Sequence, residues 1–171
     1  RKEPSGWRPV WYGARGQVVF DSVTNPTQRL GFVGELVKHD PALAEQATAD
    51  ELPSLARSQI PQILGYEYSS VQRSTTQALT LMTPAFRKRY EELTAKNNIF
   101  NDAVKRKLIS QVNVVGAGMI SSHRDSGTVL AFVNRVITDE RKQPNYEGSR
   151  LKVDYRKIDG KWLIDEMTPI F

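Results

Sequence analysis

The sequence predicts an α+β fold in which N-terminal helices pack on a strongly curved antiparallel meander sheet. Helical patterns fill the first half of the chain and β-rich runs fill residues 108–171, an order typical of α+β domains. In the second of three β-rich runs, residues 128–139, both the odd-numbered and the even-numbered positions between Val129 and Val133 are apolar. A strand of this kind is covered on both faces or lies in a curved sheet with a filled concave side. The helices must therefore cover at least one face, which predicts a cone-shaped domain with an internal cleft.

Composition fits a globular chain. The 171 residues, of which 39% are hydrophobic and 25% charged, are enough for one domain that folds without disulfides or structural metals. No apolar run approaches the roughly 20 residues of a membrane-spanning helix. The chain begins Arg-Lys-Glu-Pro without Met, which leaves room for a signal or anchor upstream of this fragment.

Cysteine content and charge limit the chemistry. Cysteine is absent, which excludes disulfides, thiolate nucleophiles and cysteine-ligated metals. The net charge of +5 favours acidic partners, but the densest basic clusters, residues 87–89 and 105–107, lie in a segment that also holds Glu91, Glu92 and Asp102. We interpret these clusters as solvated helix faces, and nucleic acid is not an expected partner.

Residues 1–45 are interpreted as an N-terminal arm and helix, and residues 46–171 as the cone-shaped domain. Trp7 and Trp11 lie among glycines and arginines, and residues 17–20 resemble a short strand. Aromatic residues beside arginines can stack on single-stranded bases, but an extended arm whose tryptophans dock on a domain is the preferred interpretation. The pair Asn25-Pro26 starts a helix that ends near His39.

Further helices follow in order. Asp40-Pro41 starts a short surface helix over 42–49, and residues 50–68 are predicted to form another helix that Pro61 kinks or divides. Three shorter helices follow over 74–82, 84–96 and 101–108, and Thr83 is the expected N-cap of the second of them.

The β-rich runs cover residues 109–121, 128–139 and 149–169. The last run folds back at Asp159-Gly160, because both residues accept the positive φ that a tight hairpin turn needs. Gly116 and Gly118 lie inside the first run, where glycine weakens strand pairing and predicts a bulge or sharp bend.

Four motifs carry a resemblance to a known family. They are residues 63–68 (ILGYEY), 81–90 (LMTPAFRKRY), 129–134 (VLAFVN) and 157–164 (KIDGKWLI). Over residues 60–171 the chain resembles the Mce-associated membrane proteins of actinobacteria. Their extracytoplasmic domain belongs to the cone-shaped superfamily of ketosteroid isomerase and the nuclear transport factor, also described as cystatin-like.

The resemblance implies a location, a role and partners. It implies one membrane-spanning helix upstream of this fragment, with the domain on the extracytoplasmic side of the cell membrane. It also implies an accessory or stabilising role in Mce complexes, which move lipids across the envelope of mycobacteria and their relatives. The implied partners are Mce transporter subunits or other membrane proteins, with lipid as a further partner.

Candidate cleft or docking residues are aromatic. They are Tyr66, Tyr68 and Tyr90, which are predicted on helices, and Tyr155 and Trp162 on the last hairpin. Tyr66 and Tyr68 cannot share a helix face because they are two residues apart. Trp162 is expected in the core, against helix side chains.

Polar clusters give no clear reaction centre. Asp154 and Asp165 would face each other across the last hairpin if its turn holds two residues, with water as the expected surroundings. Residues 121–127 contain Ser, His and Asp, but they form a predicted hairpin tip rather than a sheltered triad. The sequence therefore predicts no catalytic, cofactor-binding or metal-binding residue.

Three hypotheses for function follow. The first is a non-catalytic, membrane-anchored accessory subunit of a Mce-type lipid-transport complex. The second is a small-molecule-binding or isomerase-like enzyme that uses the cleft near Tyr68, Tyr155 and Trp162. The third is a type IV secretion assembly factor of the same fold. An open cavity lined by at least one buried acid would favour the second.

Overall fold

A computed structural model describes the backbone of residues 8–12 and 17–21 and the whole of residues 40–170. The chain divides into two compact units, Arg1–Leu43 and Ala44–Phe171. In the first unit, β1 (Arg8–Tyr12) and β2 (Gln17–Asp21) form an antiparallel hairpin, which confirms the short strand predicted over 17–20. The predicted helix over 25–39 and the docking of the arm tryptophans lie outside the described residues.

The second unit places helices before a meander of strands. The described helices, numbered in chain order, are α1 (Pro41–Leu64), α2 (Val71–Leu79), α3 (Pro84–Lys96) and α4 (Ile99–Lys105). The strands are β3 (Tyr66–Glu67), β4 (Ile109–Ser122), β5 (Ser126–Thr138), β6 (Pro144–Ile158) and β7 (Lys161–Ile170).

Helix α1 corrects two predictions, because residues 42–49 and 50–64 form one continuous helix that contains Pro53 and Pro61. Buried side chains recur along it every fourth residue, at Ala44, Thr48, Leu52, Ala56 and Ile60. Residues four apart lie on neighbouring parts of one helix face, and from Leu52 onward these side chains belong to the core cluster. Packing of that face offsets the hydrogen bonds that the two prolines remove.

The predicted end of this helix was also wrong, and with it the helical placement of Tyr66 and Tyr68. The helix stops at Leu64, and Tyr66 and Glu67 pair with Ser110 and Ile109 of β4. Two residues are too short a run for period-2 alternation to reveal a strand. The pairing with a distant strand, rather than local propensity, decides this conformation.

The five strands β3 to β7 form one antiparallel sheet in chain order, which confirms the predicted meander. The turn before β7 has positive φ at Asp159 (49°) and Gly160 (75°), as predicted for an Asp-Gly hairpin. The register of β4 shifts between Val114 and Gly116, where the sequence predicted a bulge or bend. Such bulges bend the sheet over the helices.

The core lies between the helices and one face of the sheet. On β5 the side chains of Val129, Ala131 and Val133 are buried in one cluster with Leu52 and Ile60 of α1. Phe132, on the opposite face of the same strand, is 44% exposed. The helices therefore cover one face, as predicted, and the other face has apolar side chains exposed.

Trp162 of β7 is buried in the same cluster, which confirms its predicted place in the core. Its indole Nε1 donates a hydrogen bond to Oε2 of Glu51 on α1, at 3.0 Å. Thr83 caps α3 as predicted, because its hydroxyl accepts a hydrogen bond from the Phe86 amide and donates one to Asp165 of β7. These contacts join α1 and α3 to the last strand.

Candidate functional site

The five candidate aromatic residues do not meet in one cleft. Tyr155 and Trp162 are core residues on neighbouring strands, whereas Tyr68 lines a separate groove of about 500 Å³ beside Phe100 and Val104 of α4. The cleft expected near Tyr68, Tyr155 and Trp162 is thus not a single site.

Tyr155 is the largest fully buried side chain of the described residues. Its hydroxyl has no hydrogen-bond partner there, and burial raises the pKa of this phenol well above its usual range. Tyr155 packs within the apolar cluster between the helices and the sheet, which is the position of a core residue.

Replacing Tyr155 with phenylalanine is therefore expected to leave the free energy of unfolding unchanged or to raise it by about 1 kcal/mol. The substitution removes a buried polar group without a partner and keeps the ring that fills the core. Urea unfolding at pH 7 measures this value. A loss of stability would show that the hydroxyl has a hydrogen-bond partner in solution.

Tyr66 and Tyr90 lie at the β3 end of the sheet, close to Arg135. The guanidinium of Arg135 is 5.9 Å from the ring centroid of Tyr66, and its Nε donates a hydrogen bond to Ser110. Burial raises the pKa of Tyr90, and Tyr66 adds to this effect while Arg135 opposes it. Tyr90 donates a hydrogen bond to the carbonyl of Ile63 at 3.4 Å. These contacts link β3 to β5 and α3 to the end of α1.

The aspartates of the last hairpin do not form a pair, which corrects the prediction that Asp154 and Asp165 face each other. A register shift between Asp154 and Tyr155 places Glu166 opposite Asp154. Asp154 accepts a hydrogen bond from Thr128 and lies 3.2 Å from Lys152, whereas Asp165 binds Thr83 and Arg156. Each carboxylate therefore has its own partners.

The Ser-His-Asp stretch is the exposed turn between β4 and β5. The side chain of His123 is 65% exposed and its Nδ1 lies 3.8 Å from Glu45. The His123 amide donates to the Ser126 carbonyl, and the Asp125 carbonyl accepts from the Lys157 amide. The stretch thus closes a hairpin. Among the described residues, no group of three or more His, Asp or Glu could hold a metal ion.

The face of the sheet opposite the helices, called here the outer face, has a groove that sequence reasoning missed. One part of about 510 Å³ is lined by Val115, Phe132, Asn134, Gly148, Arg150 and Ile170. A second part of about 530 Å³ shares Asn134 and Gly148 and extends to Gln111, Val136 and Tyr146. We call the two parts together the outer-face groove.

Several large apolar side chains are exposed in this groove. Val115 is 54%, Phe132 44% and Tyr146 74% exposed. Contiguous apolar surface of this kind on a folded domain marks interaction sites more often than isolated exposed residues do. The signal in the sequence was that odd-numbered and even-numbered positions of β5 are both apolar. Only the position of the helices shows which of these two sets of side chains remains exposed.

Two proteins of Mycobacterium tuberculosis (strain ATCC 25618 / H37Rv) are similar to this chain in sequence. Outer membrane protein Rv1973 is 32% identical over 109 residues, which cover 63% of this chain and 67% of that protein. Uncharacterized protein Rv1362c is 30% identical over 110 residues, which cover 63% of this chain and 49% of that protein. No family model matches the chain.

Solved structures with the same fold include two type IV secretion system proteins. An IcmL-like type IV secretion system protein from Legionella pneumophila superposes with a TM-score of 0.63 at 9% identity, covering 71% of this chain and 93% of that one. The periplasmic domain of DotI gives 0.62 at 7% identity, with 71% and 94% covered. CagV, a VirB8 homolog from Helicobacter pylori, gives 0.57 at 10% identity, with 69% and 95% covered.

At these identities the likeness is one of fold, and it confirms the expected α+β class with a curved antiparallel sheet of the nuclear-transport-factor type. In residues 40–170 no helix is both long and apolar enough to cross a membrane. Relationship by descent rests on the mycobacterial sequences. Because it is 32% identical to Outer membrane protein Rv1973 over 67% of that protein's length, this chain belongs to the family of that mycobacterial envelope protein.

Proposed function

We propose that this chain is a non-catalytic docking domain that assembles with other subunits of a membrane complex on the extracytoplasmic side of the cell envelope. The observation that supports this most directly is the outer-face groove, where Val115, Phe132 and Ile170 expose apolar surface beside Arg150. Protein interfaces combine such an apolar centre with a polar rim. Membership of an envelope protein family supports the location.

The apolar character of the interior supports the non-catalytic role in this proposal. Apolar side chains of α1, α2, α3 and four strands pack together between the helices and the sheet. The buried polar residues of the described part are Thr48, Gln59, Thr83, Thr94 and Ser110. None of these is an acid or a histidine, the residues that most often transfer protons in enzymes. An enzyme that uses the cone interior is therefore the less favoured alternative.

Two kinds of complex are candidates. A Mce-type lipid transporter, in which this chain is an accessory or stabilising subunit, is supported by the four motifs and by the mycobacterial relatives. A secretion-type complex, in which this chain is an assembly factor, is supported by the fold shared with type IV secretion proteins. Both assign the same docking role to the domain, and they differ in the subunits that it contacts.

Substituting Val115 with glutamate tests the docking role. A carboxylate at the apolar centre of an interface would lose its hydration, so we expect co-purification of partner subunits to fall at least about tenfold. The full-length protein carrying an affinity tag is isolated from detergent-solubilised native membranes, and the recovered subunits are quantified by mass spectrometry. Their identity distinguishes a lipid transporter from a secretion complex.

The matched control is Leu93→Glu on α3, because Leu93 is 56% exposed and Val115 is 54% exposed. Exposed substitutions of this kind change the free energy of unfolding by only about 0.5 kcal/mol, so both variants should fold. We expect the control to recover partners like the unmodified protein. Recovery of no envelope subunit by the unmodified protein would reject the docking role.

A further inference from the structure

The chain has two basic clusters that differ in their contacts. They are residues 87–89 on α3 and residues 105–107 at the end of α4, and all of them are exposed. In the first cluster, Arg87 Nε donates a hydrogen bond to the Leu79 carbonyl at 3.1 Å. Arg89 donates one to the Asp165 carbonyl at 2.8 Å. The first cluster therefore joins α3 to neighbouring elements of the domain.

The second cluster, Lys105-Arg106-Lys107, has no such contacts. None of its three side chains makes a hydrogen bond or an ion pair with another described residue. Asp102 lies on the same helix, and the Glu140 amide donates a hydrogen bond to the Arg106 carbonyl, but neither carboxylate is paired with these cations. Three cations are therefore available for charge-assisted hydrogen bonds to an external anion.

A groove of about 500 Å³ adjoins this cluster. Its lining includes Tyr68 before α2, Arg73 on α2, and Phe100, Asn101 and Val104 on α4. Lys105 follows Val104 directly and lies one turn beyond Asn101, on the same side of α4. The groove and the cluster are thus adjacent, and we call them together the α2–α4 surface.

Apolar side chains of the α2–α4 surface lie beside the cations. Val104 is 52% exposed. Phe100, one turn earlier on the same helix face, is half-buried, as is Tyr68. Arg73, on the α2 side of the groove, is exposed and makes no ion pair within the described part of the chain. Exposed apolar groups beside Lys and Arg are the combination with which peripheral proteins bind a membrane surface.

Two observations favour anionic phospholipid over nucleic acid as the bound anion. Single-stranded nucleic acid stacks its bases on aromatic side chains, whereas the most exposed apolar side chain of this surface is the aliphatic Val104. The chain also belongs to the family of an envelope protein, and the envelope contains phospholipid headgroups. The net charge of +5 adds a general attraction to an anionic surface.

We propose that the α2–α4 surface binds the headgroups of anionic phospholipids at the face of a membrane. Lys105, Arg106 and Lys107 contact the phosphate groups, and Val104 enters the layer between the headgroups and the acyl chains. The contact holds the domain against the membrane. It uses none of the residues of the outer-face groove, so it does not depend on the proposed docking function.

Vesicle co-sedimentation tests this inference. The purified 171-residue chain is mixed with vesicles of phosphatidylcholine alone and with vesicles that also contain phosphatidylglycerol. We expect binding to the anionic vesicles and not to the others, and weaker binding at higher salt. A triple variant, Lys105→Gln with Arg106→Gln and Lys107→Gln, should bind at least about tenfold more weakly, because each cation near an anionic membrane contributes to the attraction.

A second triple variant is the matched control, with Arg57→Gln, Lys88→Gln and Lys161→Gln. These three residues are also exposed and make no ion pair among the described residues. Both variants lose two lysines and one arginine, so a difference between them reports the position of the charges. The control should bind nearly as tightly as the unmodified chain. Thermal midpoints of both should stay close to that of the unmodified chain, because the replaced side chains are exposed.

A fluorescent label tests the apolar part of the contact. Because the chain contains no cysteine, Val104→Cys and Leu93→Cys each provide a single thiol for an environment-sensitive dye. The two positions have similar exposure, 52% and 56%. With phosphatidylglycerol vesicles, we expect emission from position 104 to shift to shorter wavelength and emission from position 93 to stay unchanged.

Other outcomes would overturn the inference. The absence of binding to anionic vesicles, or an equal loss of binding by both triple variants, would show that this surface is not a membrane contact. An unshifted dye at position 104 would show that Val104 stays outside the membrane. Displacement of the vesicles by inorganic phosphate would assign the cluster to free phosphate, and displacement by a single-stranded oligonucleotide would assign it to nucleic acid. Co-purification with Val115→Glu is a separate measurement, so the docking function and the membrane contact can fail independently.

Discussion

Replacing Trp162 with alanine is expected to lower the free energy of unfolding by about 3–5 kcal/mol, the usual cost of removing a buried large aromatic side chain. Trp162 lies in the core with Tyr155, Ile164 and α1, and the substitution would leave a cavity there. Glu51, which accepts the indole hydrogen bond, is exposed and can be hydrated again. The lost packing is therefore the main cause of the expected effect.

For a domain of this size such a loss corresponds to a thermal midpoint lower by about 10 °C. Differential scanning calorimetry of the two proteins at pH 7 measures it. Trp162→Phe is the informative companion, because it keeps much of the apolar volume and removes the donor to Glu51. We expect it to cost about 1–2 kcal/mol. Equal midpoints for the alanine variant and the unmodified protein would place the indole outside the core.

Replacing Gly65 with alanine is expected to destabilise the domain by about 2–3 kcal/mol, although the change adds only one methyl group. A Cβ atom at position 65 would lie 2.5 Å from the backbone carbonyl oxygen of Pro61, and the Gly65 amide already donates a hydrogen bond to that oxygen. Backbone cannot move aside as a side-chain end can. The added atom would displace the link between α1 and β3.

Gly118→Ala is the matched control, because a Cβ atom at Gly118 would have no neighbour within 4 Å. Its free energy of unfolding should change by no more than about 0.5 kcal/mol. Chemical denaturation of both variants compares the two sites directly. Equal stabilities would mean that the end of α1 yields to the added methyl group.

Features set by short-range chemistry were predictable. The turn at Asp159-Gly160, the cap by Thr83 and the bulge near Gly116 each depend on a few neighbouring residues, and each lies where the sequence indicates. The continuous helix α1 was not predictable in this way. Its prolines argue for a break, and only the sheet against its buried face keeps it continuous.

The candidate residues also divide into those that local chemistry places correctly and those whose positions depend on distant parts of the chain. Trp162 was correctly assigned to the core, because a large aromatic residue in a predicted strand nearly always packs. Tyr66 and Tyr68 were wrongly assigned to a helix, because the pairing of β3 with β4 joins residues far apart in the chain. The opposition of Asp154 and Asp165 failed for a similar reason, since the extra residue in β7 shifts the register.

By itself the sequence determined the α+β class and the antiparallel meander, because periodicity and turn chemistry are local properties of the chain. Tertiary structure alone decided which face of β5 is buried and where the register between β6 and β7 shifts. Both depend on the register of distant segments and on the placement of the helices. The outer-face groove arises from those non-local choices, and the proposed docking role rests on it.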